Sequence, residues 1–255
     1  MDTDATTAAR GRVRVEPATK RVRIMLGGQI VADTTDAVYV WENPSYPQYY
    51  IPLTDVAPGA LKETGTRTHS PSRGTAVHYS VHGGDKVADD AAWRYADSPL
   101  DPLRERVRFD WGAMDAWFEE DEEVFVHPRS PYTRVDILRT SRSVRIEVAG
   151  VVVAETTHAT FLFETGLPRR TYVPKLDVRM DLLDPTDSVT MCPYKGTARY
   201  WSVRAGGDVH RDLAWSYDAP FRESAPIAGL VAFYDEKVDV YVDGVLQARP
   251  RTPFS

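Results

Sequence analysis

The stretch that decides the fold occurs twice: "VRIMLGGQIVADTTDAVYVWE", Val22 to Glu42, and "VRIEVAGVVVAETTHATFLFE", Val144 to Glu164. The two align without a gap at an offset of 122 residues. The same offset sets "YIPLTDV" at Tyr50 against "YVPKLDV" at Tyr172, "SPSRGTAVHYSV" at Ser70 against "CPYKGTARYWSV" at Cys192, and "AAWRY" at Ala91 against "LAWSY" at Leu213. About 29 of roughly 74 aligned positions from Val22 to Tyr95 are identical, where about 5 are expected by chance, so the chain is a duplication. Between Tyr95 and Pro128 the offset fails: "WGAMDAWFEEDEEVFV" from Trp111 fits "PIAGLVAFYDEKVDVYV" from Pro226 only with compensating insertions. It returns where "PRSPY" at Pro128 meets "PRTPF" at Pro250. This divides the chain into a flexible N-terminal tail, residues 1–19, a first repeat, 20–132, and a second repeat, 133–255.

Each repeat reads mainly as strands. β-Branched residues flank an Ala-Gly pair in "VRIEVAGVVVAET" and a Gly-Gly pair in the first copy, both hairpin signatures. "AVYVWE" and "ATFLFE" are short aromatic strands ending in Glu42 and Glu164, and alternating strands leave Gly74 and Gly196. Asp243-Gly244 in "VDVYVDGVLQA" favours a type I′ turn. One short helix per repeat is expected, in "WGAMDAWFEED" and in "SAPIAGLVAFYDE", where Ser224 and Pro226 are start signals. The fold class is therefore mainly β: two tandem, homologous small β-rich domains, each a compact sheet or partial barrel with one short helix.

Composition narrows the function classes. The chain has 255 residues, 42% hydrophobic and 11% aromatic, enough to bury a core. A net charge of −6 without a basic stripe argues against a nucleic-acid partner. One cysteine makes neither an internal disulfide nor a multi-thiolate zinc site, which fits a reducing compartment and hence the cytoplasm. No apolar run approaches the ~18 residues of a membrane span and no signal-type apolar core opens the chain, so no membrane association is expected. Walker, dinucleotide-binding and paired metal-binding aspartate motifs are missing, and no cofactor or metal is expected. The acidic run Glu119 to Glu123 lacks the spacing of a calcium loop and reads as a solvated surface.

The only cysteine sits in "MCPYKG", residues 191–196, and the matching turn of repeat 1, "HSPSRG", keeps the proline and glycine alone. A turn accounts for those shared residues. It does not require Cys192, Tyr194 and Lys195 in one copy only. A thiol beside a cation becomes a nucleophile, so Cys192 is the candidate nucleophile or acid, Lys195 its electrostatic stabiliser and Tyr194 a proton donor or ligand contact; the alternative is a small buried cysteine with a lysine reaching outward. Around this turn, Glu164, Arg170, Tyr172, Tyr200, Trp215 and Tyr217 are the candidate ligand contacts, the aromatic residues serving pocket or core. Glu164 suits a general base or an ion pair, with Arg169 and Arg170 the candidate partners.

These motifs, with "W.Y..P" and "I.G.VAFY.EKVDV.VDG" nearly intact in repeat 2, resemble domain-of-unknown-function family 427, filed in places as nucleotidyltransferase-like. The resemblance spans both repeats after about residue 20 and implies a β-rich domain, often paired in tandem, with no established reaction. No nucleotidyltransferase catalytic motif maps onto the chain. Repeat 1 departs from the pattern at Ser70, Ser72 and Arg73, so any site there is degenerate. The side chains unique to repeat 2 point to an enzyme acting on a small polar metabolite. A non-catalytic small-molecule-binding module and a protein-interaction scaffold are the alternatives.

Overall fold

Alternation builds the sheets. In Val22–Leu26 and Val144–Val148 the first, third and fifth side chains are buried and those between are half-buried, the period of two that a pleated strand imposes. A computed structural model describes residues 13–252, and the chain divides into two compact units, Met1–Ser130 and Pro131–Ser255. The Gly27-Gly28, Ala149-Gly150 and Asp243-Gly244 pairs each hold two consecutive positive φ angles, the type I′ geometry whose twist matches that of the joined strands.

Unit 1 runs through β1 (Arg14–Pro17), β2 (Val22–Leu26), β3 (Gln29–Thr34), β4 (Val38–Asn43), β5 (Tyr46–Pro52), β6 (Leu61–Ser70), β7 (Gly74–Gly83), β8 (Lys86–Arg94), β9 (Arg106–Phe109), β10 (Ala116–Glu119) and β11 (Glu122–Val124). Unit 2 repeats this with β12 (Val135–Arg139), β13 (Val144–Val148), β14 (Val151–Thr156), β15 (Thr160–Glu164), β16 (Arg170–Val173), β17 (Leu183–Cys192), β18 (Gly196–Ala205), β19 (Asp208–Tyr217), β20 (Val231–Phe233), β21 (Asp239–Val242) and β22 (Val245–Leu246). Among the described residues each unit holds one seven-stranded and one four-stranded antiparallel sheet. The large sheets are ordered β1-β4-β5-β9-β8-β7-β6 and β12-β15-β16-β20-β19-β18-β17, and the small ones β11-β10-β2-β3 and β22-β21-β13-β14. The two topologies are the same, and neither sheet closes into a barrel.

Strand pairing extends the repeat through the diverged third. Phe109 stands opposite Ala92 and Phe233 opposite Ala214, so the offset has grown to 124; Trp117 stands opposite Ile24 and Val240 opposite Ile146, so it has fallen to 123. Trp111 therefore corresponds to Asp235, not to Pro226.

In unit 2 the large sheet buries Phe161, Val173, Val231 and Phe233 in one cluster with Val144, Ile146 and Val240 of the small sheet. Its other face carries a separate cluster of Leu162, Tyr172, Tyr200, Trp215 and Tyr217. Unit 1 is divided likewise. The long hairpins share a further device: the ladder slips between Glu63 and Arg67 and between Pro185 and Val189. There Asp90 and Asp212, both at positive φ, accept from Thr64 and Thr66, and from Thr186 and Ser188.

Four expectations change. Arg14–Pro17, assigned to the tail, pairs with Val38–Trp41, while residues 1–12 lie outside the described residues. The expected helices are short 3-10 turns, Trp111–Ala113 and Arg222–Ile227, because Gly112, Pro226 and Gly229 interrupt any longer helix and the residues beyond pair as β10 and β20. Other 3-10 turns lie elsewhere in both units, as at Lys175–Asp177. The acidic run is not wholly solvated: it forms the β10–β11 hairpin, with Glu119 buried against Lys20, Arg129 and Tyr49.

Gly74 and Gly196 hold φ angles of 95° and 96° at the same point of the hairpin turn, where side-chain-bearing residues are strained. Gly74→Ala and Gly196→Ala are each expected to lower unfolding free energy by about 1–3 kcal/mol. Gly112→Ala, without a positive φ and with open space around its Cβ, is the neutral control in the same denaturant titration.

Candidate functional site

The β17–β18 turn closes with Cys192 opposite Gly196 and holds Pro193, Tyr194 and Lys195 between them. It is fastened from outside: the Phe221 N–H donates to the Lys195 carbonyl at 3.2 Å and the buried Ser224 hydroxyl to the Tyr194 carbonyl at 3.1 Å. So anchored, the turn carries Lys195 inward. Its Nζ donates to Glu164 Oε2 at the end of β15, in an ion pair whose side chains are only 11% and 9% exposed. Among the described residues Lys195 is the one hydrogen-bonding partner of the Glu164 carboxylate, so Oε1 has none.

Around this pair stand aromatic residues of the same sheet face. Trp215 meets Tyr172 edge-on at 6.5 Å, and Tyr200 and Tyr234 tilt against it at 6.5 and 4.6 Å. Burial, reinforced by the fields of Cys192 and Glu164, pushes the Tyr172 and Tyr217 phenols well above the usual tyrosine range. At neutral pH both are hydrogen-bond donors. Half-buried Cys192 packs against this cluster, and Tyr200 shares a 2.8 Å hydrogen bond with Thr190.

Arg170 belongs to a second ion pair. Its guanidinium donates twice to Glu236, at 2.6 Å each, and lies 5.8 Å over the Trp215 ring. Burial raises the Glu236 carboxyl, but the Arg170 fork and the Thr252 hydroxyl outweigh it and hold it at about 2. The expected arginine bridge to Glu164 is thus corrected: Lys195 makes it, because strand pairing turns Arg170 toward Glu236. The structure brings Glu164, Lys195, Cys192, Tyr172, Tyr200, Trp215 and Tyr217 to one face. Tyr194 contributes its backbone carbonyl to the turn's fastening. Sequence reasoning missed Glu236 and Tyr234, which lie in the segment expected to be helical; the "YDEK" run after a β-branched strand was the available signal.

Repeat 1 solves the same problem differently. Glu42 accepts from Tyr50 at 2.5 Å and from Arg108, and Arg73 lies 3.7 Å away. Arg108 stands opposite Trp93 in the ladder and 4.5 Å over its ring, whereas Ala232 stands opposite Trp215. Shortening that arginine to alanine leaves Glu164 with a single cation.

Residues 14–120 and 136–244 match the family model described as Domain of unknown function (DUF427), labelled NTP_transf_9. The chain belongs to this family. Each DUF427 segment spans one unit from its first strand to the turn after β10 or β21, so the carboxylate and its cation lie within both. A comparison with curated proteins returns no match.

Beside Glu236, on the opposite side of the strand end, lies Asp235. Burial lifts its carboxyl to about 7, with Arg170 and Arg169 opposing and Glu236 adding.

Two outcomes follow for stability. Lys195→Met strands a buried carboxylate and is expected to cost about 3–5 kcal/mol, most of it recovered in the Glu164→Leu, Lys195→Met double variant, by urea titration. For Asp235 the folded chain holds a proton that the unfolded chain releases above about pH 4. Its contribution is therefore full below pH 4 and falls by about 1.4 kcal/mol per pH unit until pH 7. Asp235→Asn is expected to remove that slope from melting temperatures measured between pH 4 and pH 8.

Proposed function

We propose that the second repeat binds and transforms a small polar metabolite at the Glu164–Lys195 pair. The observation that carries this reading is the unbonded Oε1 of a carboxylate 9% exposed, beside phenols held protonated, where repeat 1 saturates the equivalent carboxylate. Glu164 is the general base or acceptor, and Lys195 fixes its Oε2 in place. Tyr172 and Tyr217 donate hydrogen bonds to the substrate, and Trp215 supplies an apolar wall. Cys192 borders the same cluster as a contact or nucleophile. A lone thiol of this kind fits a reducing compartment such as the cytoplasm. Among the described residues no helix is long and apolar enough to cross a membrane.

One observation favours a non-catalytic binding module instead: the Lys195 ammonium is engaged by Glu164, so it is not reserved for the thiol.

The two readings separate in one series. Metabolites are screened for stabilisation of the full chain against heat, and each hit is followed by NMR for conversion. Binding that disappears in Glu164→Gln with the fold intact supports the site, and conversion of the hit supports an enzyme. Hits that stabilise Glu164→Gln as well as the native chain would overturn it. Cys192→Ser with full conversion would remove the thiol from the reaction.

A further inference from the structure

On the other face of its large sheet, unit 2 holds a cavity of about 400 Å³, within the range of small-ligand sites. Phe163, Val238 and Val240 form apolar walls, and Arg169 and Asp235 supply opposite charges. Neither is satisfied. Asp235 is 8% exposed and its Oδ1 is buried without a hydrogen-bond partner. The Arg169 guanidinium lies 4.2 Å over the Phe161 ring, and its buried Nε has no partner. Among the described residues neither forms an ion pair, with each other or elsewhere.

Buried polar atoms in folded proteins are nearly always bonded, and an unpaired buried charge is costly. A buried carboxyl and a half-buried guanidinium of opposite sign on one cavity, not paired with each other, are complementary to an occupant that carries both charges.

Repeat 1 shows what the space holds when it has no such task. The positions of Asp235 and Val240 are taken there by Trp111 and Trp117, whose rings stack at 4.4 Å and 4°. Trp117 is 3% exposed. The first copy places two stacked indoles where the second has a carboxyl and a valine.

We propose that this cavity binds a free amino acid with an apolar side chain, its carboxylate on Arg169, its ammonium on Asp235, and its body against Phe163, Val238 and Val240. A guanidinium fork matches a carboxylate in two hydrogen bonds, and an ammonium gives Asp235 the donor it lacks. The site is separate from the Glu164–Lys195 pair and does not depend on that reading.

Calorimetric titration of the full chain with L-leucine and L-phenylalanine at pH 8, where the Asp235 carboxyl is ionised, tests it. Saturable binding of one of them is expected, weakened at least about tenfold when the titrant is 4-methylpentanoate, which lacks the ammonium, or 3-methylbutylamine, which lacks the carboxylate. Arg169→Met and the near-isosteric Asp235→Asn are each expected to weaken binding by a similar factor. Val240→Trp, which restores an indole of the first copy, should abolish it, and Glu164→Gln should leave it unchanged. Absence of saturable binding up to about 10 mM for both amino acids would overturn the proposal. So would binding that survives Asp235→Asn and Arg169→Met in chains with native circular dichroism.

Discussion

A carboxylate sunk into an aromatic sheet face must be met by a cation, and each repeat is arranged around that demand. Glu42 and Glu164 lie at the ends of equivalent strands, and a hairpin turn far along the chain brings a cation to each, Arg73 beside the hydrogen-bonded Arg108 in one unit and Lys195 in the other. The turn can deliver them only because proline fixes its first corner and glycine accepts a positive φ at its last. In unit 2 the Phe221 and Ser224 contacts then hold the turn against the sheet. Desolvation makes the carboxylate costly alone and strongly coupled to its partner, so the strand end, the turn and the fastening segment stand or fall together.

The duplicated chain separates frame from variable surface. Thr34 donates to Asp55 and Thr156 to Asp177; the hydroxyl–aspartate bulges recur; Tyr50 and Trp93 recur as Tyr172 and Trp215. These keep the topology. The substitutions that alter chemistry are few and lie on both faces of the large sheet: Arg108 becomes Ala232, Arg73 becomes Lys195, and Trp111 becomes Asp235. The first leaves Glu164 with one cation instead of two, the second keeps a cation in place, and the third puts a carboxyl on a cavity where repeat 1 has an indole.

Strand content, the repeat and the type I′ turns were legible because they depend on local period and on glycine placement. Glu164 and Lys195 could be singled out individually, but their pairing could not, since it joins residues 31 positions apart through a sheet. The misassigned helices have a physical cause. Apolar spacing of three to four in a segment cut by Gly112 or Pro226 cannot sustain a helix, and alternate residues of Ala116–Glu119 are claimed by the sheet instead. The cavity of Asp235 and Arg169 was invisible because its counterpart in repeat 1 emerges only after the offset changes by two, a shift recorded in strand pairing and not in composition.

Duplication also carries a hazard. Both large sheets end in a long hairpin arm, Leu61–Ser70 and Leu183–Cys192, and an unpaired arm of this kind can recruit a strand from another molecule. Two near-copies in one chain would make such exchange self-reinforcing, as in misassembled repeat proteins. The slipped ladder at Pro185, a residue that has no N–H to offer, and the outward charges of Asp184 and Asp187 interrupt the run a foreign strand would need. The irregularity that looks like a flaw in the second hairpin thus leaves a foreign strand fewer groups to pair with.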